Sequence, residues 1–251
     1  MKKVIFDIGT HNYEELKFLF GNFSDKYSFY FLWLKSSLQS FMKKKNINKF
    51  GYSKSFFELK LKEHIKILQL LFKLRKKYYP YKIICIDPNF VGNVGNNFKK
   101  KFLDFYSLNF AIGESNNNDI YFEKLFLGKN SLSNNIYLKN EEQSFNLVPC
   151  TSFSNILKIL IEKKIIFHAD NFILRMNCEG SESFIIKDLL KNDLSINLIC
   201  GSLNDIKKKQ GDEEYENTMS LLKEQNISFV YFKASDPSSW LDIKKYFFEI
   251  K

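Results

Sequence analysis

The residues best equipped for chemistry in this chain gather between Phe172 and Glu182, in the run Phe-Ile-Leu-Arg-Met-Asn-Cys-Glu-Gly-Ser-Glu. Glu179, Glu182 and the amide of Asn177 surround Gly180, a set able to take a proton from a bound hydroxyl or to hydrogen-bond a ligand. Ahead of them Phe172, Leu174 and Met176 alternate as in a strand, and residues 183–191 behind them read as a helix. Open α/β sheets bind ligands at such junctions, outside the carboxyl ends of their strands. The plain alternative is an ordinary strand-to-helix loop in which Ser181 caps the helix and Glu182 complements its dipole.

Two further stretches have the same form. Residues 4–8 read as a buried strand that ends in Gly9-Thr10-His11-Asn12-Tyr13, with a helix from 14 to about 20. Asp7 and Gly9 are placed to shape a ligand loop, the glycine permitting a tight turn and close backbone approach. The segment is not a dinucleotide fingerprint, because it holds a single glycine of that pattern and Tyr13 fills the tight end of the turn. Pyrophosphate is therefore disfavoured, whereas a ligand without phosphates, such as S-adenosylmethionine, asks less of the loop. Residues 81–86 form the next strand, closed by Asp87-Pro88-Asn89. An acid there either accepts hydrogen bonds from both ribose hydroxyls of a nucleoside or serves as a turn residue before Pro88. The interval from the glycine loop exceeds the usual spacing of about 20 residues, and an insertion accounts for the excess.

The elements that must position these loops predict an α/β fold: one domain of 251 residues, with a mainly parallel sheet and an antiparallel edge, interrupted by a helical insertion at 21–80. Within the insertion, 27–42 and 56–77 read as amphipathic helices around a basic linker at 43–54, a pair suited to cover the site as a substrate lid. A sharper reading makes this pair a contact for a membrane surface or lipid-linked substrate, since Trp33 and other aromatics sit beside lysines. The apolar run 29–34 is too short to span a bilayer, and His64 reads as packing or solvated.

Helices are expected at 91–105, 153–163 with Thr151 as cap, and 213–225. Strands are expected at 107–112, 119–123, 135–138, 145–148, 195–200, 227–232 and 246–250. His168 and Asp170 read as a surface loop, and 201–211, with lysines at 207–209, as a solvated polar loop. Cys85, Cys150, Cys178 and Cys200 are too scattered for a metal knuckle and read as free thiols, mostly buried. No signal peptide opens the sequence, so a cytoplasmic location is expected, peripheral at the membrane if the insertion binds lipid. The net charge of +10 would attract nucleic acid, anionic lipid or an acidic glycan. The accompanying wealth of Asn, Ile, Phe and Tyr marks part of that charge as compositional bias rather than a binding surface.

FDIGT at Phe6–Thr10, IDPN at Ile86–Asn89, NFAIGE at Asn109–Glu114, the strand-to-helix passage at 146–157 and RMNCEGSE at Arg175–Glu182 stand in one order along the chain. In that order they resemble the FkbM family of S-adenosylmethionine-dependent methyltransferases, over most of the chain outside 21–80. The resemblance implies a Rossmann-like class I methyltransferase sheet of about seven strands and methyl transfer to a hydroxyl of a sugar, glycan or secondary metabolite. It implies cofactor contacts at Asp7, Gly9, Thr10, Asp87, Pro88 and Asn89, with Ala111 to Glu114, Gly113 included, bordering the adenine. Tyr13 stands where the family has glycine and Asn177 where it has aspartate, so one carboxylate is missing from the site. Glu179 is then the expected base, His11 the second choice, and Glu182 the residue that orients the site or the following helix. Asn177 can hydrogen-bond but not take a proton. No compact ligand set calls for a metal. Two rival classes remain: a cofactor-binding but catalytically silent protein that recruits partners through the insertion, and, last, a nucleic-acid methyltransferase suggested only by charge.

Overall fold

The computed structural model describes residues 3–9, 81–88, 104–114, 119–126, 144–178, 180–192 and 194–231. Contacts divide the chain into two units, Met1–Asn12 with Pro80–Tyr231 and Tyr13–Tyr79 with Phe232–Lys251, and the described residues belong to the first. The helix expected at 14–20, the helical pair within 21–80 and the strands expected at 135–138 and 246–250 lie outside the described residues.

The fold is α/β. Its elements are β1 (Lys3–Ile8), β2 (Tyr81–Ile86), β3 (Phe105–Leu108), β4 (Ala111–Ile112), β5 (Tyr121–Phe126), β6 (Phe145–Thr151), α1 (Phe153–Glu162), β7 (Asn171–Met176), α2 (Glu182–Leu190), β8 (Ile196–Gly201), α3 (Asn204–Gln210), α4 (Asp212–Glu224) and β9 (Phe229–Tyr231). Six strands form a sheet in the order β3-β2-β1-β7-β8-β9, every neighbouring pair parallel. From β1 the chain builds outward to β2 and β3 on one side and to β7, β8 and β9 on the other. The order therefore reverses between β1 and β7, the switch point at which such sheets open a crevice.

Strands covered on both faces are expected to be apolar without alternation, and β1, β2 and β7 are so apart from one buried charged residue each, Asp7, Lys82 and Arg175. Val4, Phe6 and Ile8 join Phe172, Leu174 and Met176 in the main core, under Phe153, Ile156 and Leu157 of α1 and Ile185, Ile186 and Leu189 of α2. Ile5, Ile83 and Ile173 point the other way and are equally buried. Phe6 anchors the packing, edge-on to Phe153 at 5.4 Å and stacked on Phe172 at 6.0 Å between ring centroids. Lys82, buried in β2, is satisfied by the carbonyl of Ile165.

A second sheet has the order β4-β6-β5, with β4 parallel and β5 antiparallel to β6. Tyr121, Leu125, Val148 and Cys150 turn inward onto Ala111, while Phe122 (71% exposed) and Leu147 (63%) face out.

Several expectations are corrected. The single strand expected at 107–112 is two strands in different sheets, broken at Asn109 and Phe110, because the segment pairs first with β2 and then with β6. Phe105, assigned to the end of a helix, opens β3. Thr151 is the last residue of β6, and Ser152 caps α1 by accepting from the Asn155 N–H at 3.1 Å. The polar loop expected at 201–211 is largely helix α3, held by the fully buried Ile206. Asp170 is buried, not a surface residue, and its carboxylate accepts from the Phe167 N–H at 3.1 Å. His168 is exposed, as expected of a surface loop. The six-stranded sheet is wholly parallel among the described residues, and the antiparallel edge expected from the strand at 246–250 lies outside them. Antiparallel pairing among the described residues is between β5 and β6 of the smaller sheet.

Candidate functional site

Three turns leave the carboxyl ends of β2, β1 and β7 side by side, and backbone hydrogen bonds tie them together. The Gly9 N–H donates to the Ile86 carbonyl at 2.8 Å, the Asn177 N–H to Ile8 at 3.1 Å, and the Asp87 N–H to Leu108 at 3.1 Å. Parallel register sets the row, pairing Ile8 with Ile86 on one side and with Met176 on the other. Gly9, Asp87 and Asn177, read from distant parts of the sequence, thus lie on adjacent strand ends.

Gly9 adopts φ +73°, open to glycine at little cost. A β-carbon there would stand 2.1 Å from the Asn177 carbonyl oxygen. The close backbone approach expected of Gly9 is therefore made by the protein's own chain: the β1 turn packs against the β7 turn, and the missing side chain is what allows it.

Beneath that contact lies a buried ion pair. Arg175 Nη1 donates to Asp7 Oδ1 at 3.0 Å and to the Gly9 carbonyl at 3.0 Å, with both side chains almost fully buried. Asp7 is thus engaged in shaping the Gly9 turn through Arg175. The arginine's role was not drawn from the sequence, although a signal existed. A charge inside an apolar strand demands a partner, and Asp7 sits at the register position facing it.

Glu182 is buried to 0% exposure at the first turn of α2, and its carboxylate accepts from the Cys178 N–H at 2.7 Å and the Gly180 N–H at 2.8 Å. One carboxylate thereby closes the turn around position 179, with Gly180 at φ +113°. Burial pushes its pKa up to about 7, against the lowering effect of the backbone N–H bonds. This geometry makes Glu182 a residue that orients the turn. Ser181 occupies the cap position of α2 without a capping side-chain bond.

Cys178 lies between these groups, its thiol pKa raised well above the ordinary value by burial first and by the Glu182 charge second, with Asp87 contributing in the same direction. It is therefore a poor thiolate. Glu182, Arg175 and Asp87 all influence this one sulfur, which also faces the Ile8 carbonyl at 3.9 Å. Asp87 itself is buried, at the end of β2, with Pro88 half-buried after it.

Of the remaining candidates, Ala111 lies in β4 of the three-stranded sheet, paired with Cys150, and Gly113 follows that strand, donating its N–H to the Thr151 carbonyl at 3.2 Å. Thr10, His11, Tyr13, Asn89 and Glu179 lie outside the described residues, though Cys178 and Gly180, on either side of Glu179, are within the site. Among the described residues no group of three or more His, Cys, Asp or Glu side chains is arranged to hold a metal ion. Among them, too, no helix is long and apolar enough to cross a membrane. Comparisons of the chain with family models, with curated proteins and with solved structures found no match.

Chemically, the row places the buried carboxylate of Asp87 just after β2 and a turn closed from within by Glu182 beside the switch point.

Proposed function

We propose that this protein is an S-adenosylmethionine-dependent O-methyltransferase with a Rossmann-like class I fold, acting on a hydroxyl of a sugar, glycan or secondary metabolite. The observation that carries the reading is the strand order β3-β2-β1-β7-β8, all parallel, with an acidic residue, Asp87, at the carboxyl end of β2 beside the switch point. A nucleoside sulfonium fits such a row better than a dinucleotide, because the sequence after β1 holds a single glycine of the pyrophosphate-binding pattern, Gly9, and that glycine packs against the Asn177 carbonyl.

In this reading Asp87 accepts hydrogen bonds from the ribose hydroxyls, and Pro88 and Asn89 complete the rim. Asp7 and Arg175 hold the Gly9 turn, with Thr10 beside it, while Ala111 and Gly113 border the base. S-adenosylmethionine supplies the activated methyl group when bound. The protein's own tasks are to align the acceptor oxygen, exclude water and take up the hydroxyl proton. Glu179 takes the proton, or His11 in its place. Asn177 hydrogen-bonds acceptor or cofactor, and Glu182 holds the turn in shape.

The test is transfer of a labelled methyl group from S-adenosylmethionine to carbohydrate and lipid-linked extracts. Wild type is expected to label a hydroxyl-bearing acceptor and Glu179→Gln to lose at least about a hundredfold in turnover, the usual worth of a general base. Unchanged turnover in that variant removes Glu179 as the base. Absence of transfer to every acceptor class, with the cofactor bound, leaves the silent binding protein as the better account.

A further inference from the structure

Helix α3 reaches into the site through one side chain. Gln210, its last residue, donates from Nε2 to the Gly180 carbonyl, and its Oε1 accepts from Ser183 Oγ at 2.8 Å. The orientation of the amide is settled by chemistry, since a carbonyl can only accept and the –NH₂ must face Gly180. Glu182 already holds the Gly180 N–H at 2.8 Å. Both polar atoms of Gly180 are therefore tied down, its nitrogen by the helix that follows in sequence and its oxygen by a helix 30 residues further on.

The anchor for this second tie is rigid. Ile206, one turn earlier, is fully buried, and the chain breaks at Gly211 (φ +97°) directly into α4. Ser183, also fully buried, holds the amide from behind. A glycine at φ +113° has many conformations open to it, and a two-sided tie selects one.

We infer that Gln210 is a positioning residue, setting the carbonyl of Gly180 and with it the conformation of the turn that Glu182 closes. The inference rests on the proposed function only in taking that turn to face the ligand. The tie itself is independent of ligand identity.

The experiment compares Gln210→Met, Gln210→Glu and Ser183→Ala in the full chain, reading amide hydrogen exchange at Gly180 and calorimetric affinity for S-adenosylhomocysteine. Methionine removes both bonds, glutamate keeps the acceptor for Ser183 but loses the donor to Gly180, and alanine at 183 keeps that donor. Both Gln210 variants are expected to speed Gly180 exchange and weaken ligand binding by about tenfold, the effect of losing one net hydrogen bond. Ser183→Ala should stay within about threefold of wild type, and urea midpoints should move little, because Gln210 is half-exposed. Gly180 exchange unchanged in Gln210→Met, or Ser183→Ala as damaging as Gln210→Met, overturns the inference. A wild type that does not bind S-adenosylhomocysteine at all contradicts the proposed function, and the exchange ordering alone then decides the role of Gln210.

Discussion

The two sheets solve the same problem differently. In the six-stranded sheet the central strands β1, β2 and β7 are buried along their length, and each admits one charged side chain, Asp7, Lys82 or Arg175, held by a partner. Most polar residues collect beyond the carboxyl ends, at Gly9, Asp87, Asn177 and Glu182. In the three-stranded sheet β5 alternates between exposed and more buried positions, β6 is exposed from Phe145 to Leu147 and largely buried after it, and Phe122 and Leu147 remain in solvent. Burial along the whole strand thus gathers most polar groups at the strand ends, whereas in the smaller sheet exposed residues, apolar ones included, occur along the strands. The site belongs to the first arrangement, and its substitutions are expected to be the costly ones.

The largest expected effect is at Gly9. Gly9→Ala puts a methyl group 2.1 Å from the Asn177 carbonyl at a backbone angle that favours glycine. A loss of about 5 kcal/mol, or failure to fold, is expected in urea denaturation. Arg175→Met follows, stranding the buried Asp7 carboxylate without its guanidinium at a cost of about 3 to 5 kcal/mol. A change below about 1 kcal/mol in either variant would break the contrast between the sheets.

Glu182 gives a pH signature. Its folded pKa of about 7 stands above the ordinary 4.5, so between those values the folded protein keeps a proton that the unfolded chain has released. Its contribution is present in full below the unfolded value and is lost as pH rises through the folded one, a fall of about 3 kcal/mol. Glu182→Gln should flatten that part of the stability profile while weakening the turn, because an amide nitrogen would face one of the two N–H donors. A wild-type profile that rises across the same window contradicts the account of this residue. The smallest effect belongs to the second sheet: Phe122→Ser on its outer face should change stability by no more than about 0.5 kcal/mol, against about 2 to 5 for the inward Leu125→Ala.

The strands of the large sheet were legible because their pattern is local. The runs that became β1, β2, β7 and β8 are short and apolar, and turn residues bound them. Asp87 and the 177–182 turn could be singled out for the same reason, as polar groups arriving at the end of such runs. What was not legible depends on distant partners. The break between β3 and β4 comes from pairing with two different strands, and the Asp7–Arg175 pair joins residues 168 positions apart. Helix α3 was hidden because a short lysine-rich segment has little apolar periodicity, and Ile206 alone anchors it to the core. With α3 unread, Gln210 carried no signal at all.

The central claim is that the ends of β1, β2 and β7 hold a nucleoside through Asp87. Titration of the full chain with S-adenosylhomocysteine, followed calorimetrically for wild type and Asp87→Ala, tests it most directly. The account predicts saturable binding at one site per chain, weakened by about ten- to a hundredfold in the variant, the worth of hydrogen bonds to a charged group. No heat of binding to wild type, or equal affinity in the two proteins, contradicts it.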